Sequence, residues 1–487
     1  MYAAHMRGLV NAGDWSVKRA VGKLWIPLLF LQLFPAHAAI ARFSHVVVIV
    51  QENRTPDNLF QGLCENPSAC GVPPNAKQYN IQTGNWLNKD SQSGFTQPAP
   101  QELAEGTFDP GHDHESFHRM CDLVAGTCKM DGAAEEGCSG SCPSNFAFTY
   151  VSDSTGILDP YLALATQYGW ANFMFQTNQG PSYPAHQFLF GATSAPSATD
   201  DKEGTFAAEN GDGGMNGIGC ASNGTKVQLI DADGQEEAQN RVFSCFEHGT
   251  LSDIIAQAGF SWRYYAPTQN YIWTAPNSIN HICDPKNGTC TGSEWVNNVD
   301  LHPKDVLTDI AGCKLQNLSW VVPSGQESDH PEMNKGLGPS WVASIVNAIG
   351  NSGCTDGPTS YWDDTAIMLT WDDWGGWYDH VPPKILAYPQ GGYQYGFRVP
   401  FIFVSAYTPP GFISSYHQDF GTIARFIETN FGVQEGALGF ADARTDTNLS
   451  KFYDLGRKPR TFSTIPAPLN AKYFINDTSP LLPPDND

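Results

Sequence analysis

Asp372 and Asp373 stand side by side at the end of an apolar run, and Gly375, Gly376, Asp379 and His380 follow directly. Adjacent carboxylates repel, so a buried pair needs a cation to hold it. The plainer reading is a solvated acidic loop. The run itself, Ala366 to Trp371, contains no Pro or Gly and suits a buried strand of a parallel sheet. In open α/β sheets ligands bind beyond the carboxyl ends of such strands. The placement recurs along the chain. Phe43 to Val50 is β-branched and apolar and runs into Glu52 and Asn53. Trp170 to Phe175 leads to Ser182, with Pro184 fitting the first turn of a helix. A serine at a helix start suits a phosphate, and equally suits an ordinary cap. Leu318 to Pro323 leads to His330.

Two Asp, a Glu and an Asn are oxygen donors that suit a hard or borderline divalent cation. Such a cation would lower the pKa of the Ser182 hydroxyl and screen its approach to a phosphate. His114, His330, His281 and His380 are the candidates for donating to phosphoryl oxygens or protonating a leaving group. His186 reads as a helix-surface residue, and Trp371, Trp374 and Trp377 as packing rather than a substrate cage.

These residues lie hundreds of positions apart, so one sheet edge has to gather them. The expected fold is α/β, a mostly parallel central sheet flanked by helices. Further strands are expected over 261–267 and 399–405, and helices over 158–168, 251–258, 339–351 and 420–431. Residues 61–145 and 195–247 read as insertions, the first pinned by cysteines and carrying His112 and His114. From 466 the chain is Pro-rich and reads as an irregular tail. Among 487 residues, 27 are Lys or Arg and 50 are Asp or Glu, a net charge of −23 that argues against a nucleic-acid partner. Twelve cysteines fit an oxidising compartment. Sequential pairing is the simplest connectivity. A zinc cluster on the first six is the alternative, although no Cys-x-x-Cys pair is present. Residues 1–38, with a basic flank, a short apolar run and Ala36-His37-Ala38, read as a secretory signal or an uncleaved anchor.

Four motifs occur in order: Glu52-Asn53-Arg54-Thr55, Gly180-Pro181-Ser182-Tyr183-Pro184, Ser328-Asp329-His330-Pro331 and Trp371 to Val381. Together they resemble the bacterial phosphoesterase family, which includes phosphatidylcholine-type phospholipases C and secreted acid phosphatases on an alkaline-phosphatase-like fold. The resemblance implies a phosphoesterase catalytic domain over 39–465. Glu52, Asn53, Asp372, Asp373 and the Ser182 oxygen would hold one divalent metal ion. Ser182 would be the nucleophile, passing through a phosphoseryl intermediate. His114 and His330 would contact phosphate or act as acid and base, with His281 and His380 as further candidates. The choice between His112 and His114 stays open. The implied substrate is a phosphate monoester or a phospholipid headgroup ester, met outside the cell or in the periplasm with transient membrane-surface contact. The rival is a secreted non-catalytic carbohydrate- or surface-binding protein, in which Glu52, Ser182, Asp372 and Asp373 would lie far apart.

Overall fold

The computed structural model describes residues 41–64, 69–104, 107–208, 217–232, 234, 236–383, 395–445 and 447–482. The expected signal, 1–38, lies outside them. Among the described residues no helix is long and apolar enough to cross a membrane.

The central sheet has eight strands: β1 His45–Gln51, β2 Gly169–Ala171, β3 Trp262–Tyr265, β4 Val299–Asp300, β5 Leu318–Val321, β6 Thr365–Trp371, β7 Phe401–Val404 and β8 Phe412–Ser414. Their spatial order is β4-β3-β5-β1-β6-β7-β2-β8. β1 and β6 are buried along their whole length, as their apolar, β-branched sequences require of strands covered on both faces. β1 pairs in parallel with β5 and β6, β3 with β4 and β5, and β2 with β8. Only β7 runs antiparallel, to β6 on one side and β2 on the other. The sheet is therefore mostly parallel. Its mixed character comes from the segment 399–405, whose short apolar run carries no signal of direction.

The helices used below are α1 Pro56–Leu59, α2 His114–Cys121, α3 Asp159–Gln167, α4 Ser182–Gly191, α5 Leu251–Gln257, α6 Gly338–Gly350, α7 Phe420–Asn430 and α8 Ala471–Asn476. α3 packs on α6, and α4 on α5 and α7. The segment expected as an irregular tail thus carries one helical turn and a half, seated on α6 by an edge-to-face contact of Phe474 and Trp341 at 5.3 Å. From Ala38 onward the chain clusters as one compact unit.

All twelve cysteines are joined in the sequential pairing: Cys64–Cys70, Cys121–Cys128, Cys138–Cys142, Cys220–Cys245, Cys283–Cys290 and Cys313–Cys354. The zinc alternative is overturned, because no cysteine is left free to ligate.

Candidate active site

Strand register brings the acids together. Gln51 lies opposite Trp371 in the parallel pair β1–β6, so Glu52 and Asp372 leave the sheet side by side. Asp372 N–H donates to the Gln51 carbonyl at 3.0 Å, and Arg54 N–H to the Asp373 carbonyl at 3.1 Å. Between them Asn53 takes a left-handed backbone, φ 59°, a conformation asparagine tolerates better than most residues. Its N–H donates to Asp372 Oδ1 at 3.1 Å. Glu52, Asn53, Asp372 and Asp373 are all fully buried.

Ser182 is the first residue of α4, preceded by Pro181. The loop before it is held by Gln176 and Asn178, whose side-chain amides donate to the Gly180 carbonyl at 3.0 and 2.8 Å. Ser182 Oγ donates to Asp373 Oδ2 at 3.2 Å and lies 3.4 Å from Asn53 Oδ1. Asp373 is oriented by Gly375 N–H, which donates to its Oδ1 at 2.7 Å and leaves Oδ2 to the serine. The four motif segments read from the sequence thus meet, and the expectation attached to the binding-protein rival, that these acids and Ser182 lie far apart, is not met.

The two glycines of this loop are required where they stand. Both have positive φ, 62° at Gly375 and 71° at Gly376. A Cβ on Gly375 would run into the Asn53 carbonyl, and one on Gly376 into Pro110 and the Gly111 carbonyl. The second contact couples the acidic loop to the segment that delivers His112.

That segment comes from the cysteine-pinned insertion. Phe108–Pro110 pairs antiparallel with Cys138–Gly140, and Gly111 N–H donates to the Gly137 carbonyl at 2.9 Å. His112 Nδ1 faces the Pro110 carbonyl at 2.8 Å, so its Nε2 can accept from Asn53 Nδ2 at 3.0 Å. The Asn53 amide is thereby turned with Oδ1 toward Ser182. His330 Nδ1 likewise faces the Pro331 carbonyl at 2.6 Å, and its ring stands 6.1 Å from that of His112. Asp109, His112 and His330 form one buried group of ligand-type atoms.

Of the pair left open by the sequence, His112 is the one in contact with Asn53. His114 instead opens α2 behind its N-cap Asp113 and turns to the Gln179 carbonyl at 2.7 Å and to His118 Nε2 at 3.1 Å. It braces the loop before Ser182. Burial holds the His118 imidazole down at about 4, and the neighbouring His114 adds to this. His281 is half-exposed and bridges Glu247 at 2.7 Å and Asp253 at 3.1 Å. Those acids, Asp253 foremost, raise it to about 9. His380 Nδ1 is 2.6 Å from Asp57 Oδ2 and its Nε2 is 3.0 Å from Asn80 Oδ1. Both are engaged by these partners rather than by Ser182. Asp379 is engaged by Arg398 at 2.9 to 3.2 Å, and burial pushes its carboxyl up to about 6.

One residue read as surface is not. His186 is fully buried, one turn beyond Ser182 on α4. Its Nε2 is 3.1 Å from Glu52 Oε1 and 3.7 Å from Asp372 Oδ2. Burial lowers it to about 4, with Asp372 opposing, so a neutral ring donates Nε2–H to Glu52. The i to i+4 spacing from Ser182 was the available signal. Trp371, Trp374 and Trp377 are buried, as expected of packing. Arg54 lies 4.9 Å over the Trp377 ring and donates from Nε to the Asp329 carbonyl at 2.9 Å. Asp329 Oδ2 accepts from Tyr161 at 2.9 Å and Trp371 Nε1 at 3.0 Å. This buried network fixes the loop that carries His330.

The donor set fits a divalent cation. Glu52 and Asp372 offer buried ligand oxygens within 4.8 Å of each other, and Asp372 Oδ2 is buried without a hydrogen-bond partner. Glu52, Asp372 and Asp373 bring three buried carboxylates together, a setting in which a bound cation offsets the cost of burying charge.

The chain is similar to the hemolytic phospholipase C of Pseudomonas aeruginosa, 22% identical over 80% of this chain and 53% of that one. It is 25% identical to the non-hemolytic phospholipase C of Burkholderia pseudomallei over 80% of this chain and 55% of that one. The chain therefore spans about half the length of these relatives. Among solved structures, a protein in the alkaline phosphatase superfamily from Vibrio parahaemolyticus aligns over 60% of this chain and 65% of its own, at 10% identity and a TM-score of 0.33. Residues 43–434, the span that holds every motif above, match the Phosphoesterase family, and the chain belongs to it.

Proposed function

We propose that the protein is a secreted, metal-dependent phosphoric ester hydrolase that works through a phosphoseryl intermediate on Ser182. The observation that carries this reading is the convergence of Ser182 Oγ with Asp373, at 3.2 Å, and with Asn53, in a buried site shared with Glu52 and Asp372. Family membership and the phospholipase C relatives support it. A divalent cation held by Glu52, Asn53, Asp372, Asp373 and the Ser182 oxygen would lower the pKa of that hydroxyl and offset phosphate charge.

The chain's own residues supply the rest. Ser182 Oγ attacks phosphorus in line with the departing alcohol, and its proton passes to the acids around it. His330, held by the Pro331 carbonyl through Nδ1, presents Nε2; in the protonated ring that N–H is donated to the leaving oxygen. Water then attacks the phosphoserine from the opposite side, and two inversions give net retention at phosphorus. His112 keeps the Asn53 carbonyl oxygen turned to Ser182. The six disulfides fit an oxidising, extracytoplasmic setting.

Between phosphate monoesters and phospholipids, one observation favours the lipid. Leu87 and Phe95 are exposed on one hairpin, and Leu123 and Val124 on another. Lys89 joins the two through Asp122 at 3.2 Å. The first hairpin is stacked on the acidic loop through Trp86 and Tyr378, 4.8 Å apart. Paired apolar tips tied to a site suit contact with a lipid surface.

The test is a panel of a phosphate monoester and phosphatidylcholine vesicles, before and after chelation, with wild type and Ser182→Ala. Turnover should fall by about three orders of magnitude or more in the folded Ala variant and vanish on chelation. Near-normal turnover of Ser182→Ala removes the mechanism, and activity that survives thorough chelation removes the metal.

A further inference from the structure

We propose that the indole N–H of Trp273 is a hydrogen-bond donor to a phosphoryl oxygen of the substrate; this rests on Ser182 being the reacting residue. Trp273 is fully buried, yet its Nε1 has no hydrogen-bond partner among the described residues. A buried donor left unpaired is costly, and native structures keep few of them without a ligand or water to receive the bond.

Its surroundings point to the ligand. The ring lies nearly parallel to that of His186, 24° and 6.4 Å between centroids. It also faces His330 at 6.1 Å and 41°. It therefore stands between the histidine that holds Glu52 and the histidine offered to the leaving group. Other buried tryptophans also have unpaired indoles, but their settings differ. Trp341 packs on Phe474, Trp377 carries Arg54 on its face, and Trp374 meets His112, Phe117 and Phe397 edge-on. Among the described residues only Trp273 contacts both His186 and His330.

The position is rigid, as a donor aimed at developing charge has to be. The Trp273 carbonyl accepts from the Tyr264 hydroxyl at 2.8 Å, which fixes it to β3. The next residue, Thr274, donates from Oγ1 to the Thr268 carbonyl at 2.6 Å and its carbonyl accepts from Asn277 N–H at 2.9 Å. Gln187 of α4 donates to the Ala275 carbonyl at 3.2 Å. The loop that carries the indole is thus tied to the helix that carries Ser182. An indole N–H does not titrate, so its contribution is the same at every pH at which the enzyme works.

The experiment compares wild type, Trp273→Phe, Trp273→His and Ser182→Ala with a phosphate monoester and with inorganic phosphate as inhibitor. Trp273→Phe keeps an aromatic ring and removes the donor. Its kcat/KM should fall about 10- to 100-fold, its phosphate affinity should weaken, its pH profile should keep its shape, and Trp273→His should recover part of the loss. Values for Trp273→Phe within twofold of wild type, with Ser182→Ala inactive, overturn this inference alone. An active Ser182→Ala overturns it together with the reading beneath it. If Trp273→Phe does not fold, wild type carrying indole-15N tryptophan is titrated with inorganic phosphate. One indole N–H resonance moving downfield supports the bond, and no indole resonance moving overturns it.

Discussion

His186 Nε2 lies 3.1 Å from Glu52 Oε1, and the two are joined across α4 and the end of β1 with no solvent between them. A donor in that position orients a carboxylate that is itself a proposed ligand. Replacing His186 by Ala should lower the affinity for a divalent cation about 10- to 100-fold, and Gln should keep part of it. Bound metal per chain, measured after dialysis against a graded chelator, checks this without any appeal to turnover. Equal metal retention in all three proteins would mean that the imidazole only fills space.

Gly375 gives a second prediction. Its φ of 62° and its approach to the Asn53 carbonyl leave no place for a Cβ. Gly375→Ala should lose about 1–3 kcal/mol of stability and most activity, because Asn53 is displaced. Gly353→Ala, where a Cβ meets open space, should be near neutral. Denaturant midpoints and turnover of the two variants measure the difference.

These two residues mark how far the sequence could be read. Glu52, Asn53, Ser182, Asp372 and Asp373 were legible because each follows an apolar run, and parallel register carries the ends of such runs to one edge. The strands β1, β5 and β6 and helices α4, α6 and α7 were legible from the same runs and from helical spacing. The direction of β7 was not, since a four-residue buried strand has the same composition either way. His186 was misread because its neighbours on α4 gave no polar face: the whole helix is buried. Choosing His112 over His114 needs the hairpin between Phe108–Pro110 and Cys138–Gly140, whose pairing spans residues with no periodic signal. Trp273 lies in a loop whose course is set by contacts with α4, which no local pattern encodes.

Arg398 anchors the far side of the acidic loop. It is fully buried, contacts Asp379 at 2.9 Å and Asp57 at 3.3 Å, and donates to the Asn80 and Asn172 carbonyls. Removing one partner from a buried charge network strands the others. Arg398→Met should cost about 3–5 kcal/mol. Double replacement with Asp379→Asn should cost less than the sum of the two singles. Equilibrium unfolding of the four proteins reads the coupling directly; strict additivity would mean that the pair is not energetically joined.

Asp329 gives the stability of the fold a pH dependence. Burial pushes its carboxyl up to about 6 from an ordinary 3.8, against the pull of Arg54 and the bonds from Tyr161 and Trp371. The folded state therefore binds a proton that the unfolded chain has already released, and stability falls as pH rises from about 4 to about 6. The shift corresponds to about 3 kcal/mol, at about 1.36 kcal/mol per pKa unit. His118 and His186, both held down at about 4, act in the opposite sense over the same window, since the unfolded chain protonates them first. The net slope of wild type therefore mixes both kinds of group, and the difference from Asp329→Asn isolates one. The variant, neutral at every pH, should gain stability relative to wild type as pH rises from about 4 to about 6.5, so that the gap between the two changes by up to about 3 kcal/mol. Chemical unfolding at half-unit pH steps measures the gap, and a gap that stays constant with pH would show that Asp329 is ionised in the fold throughout.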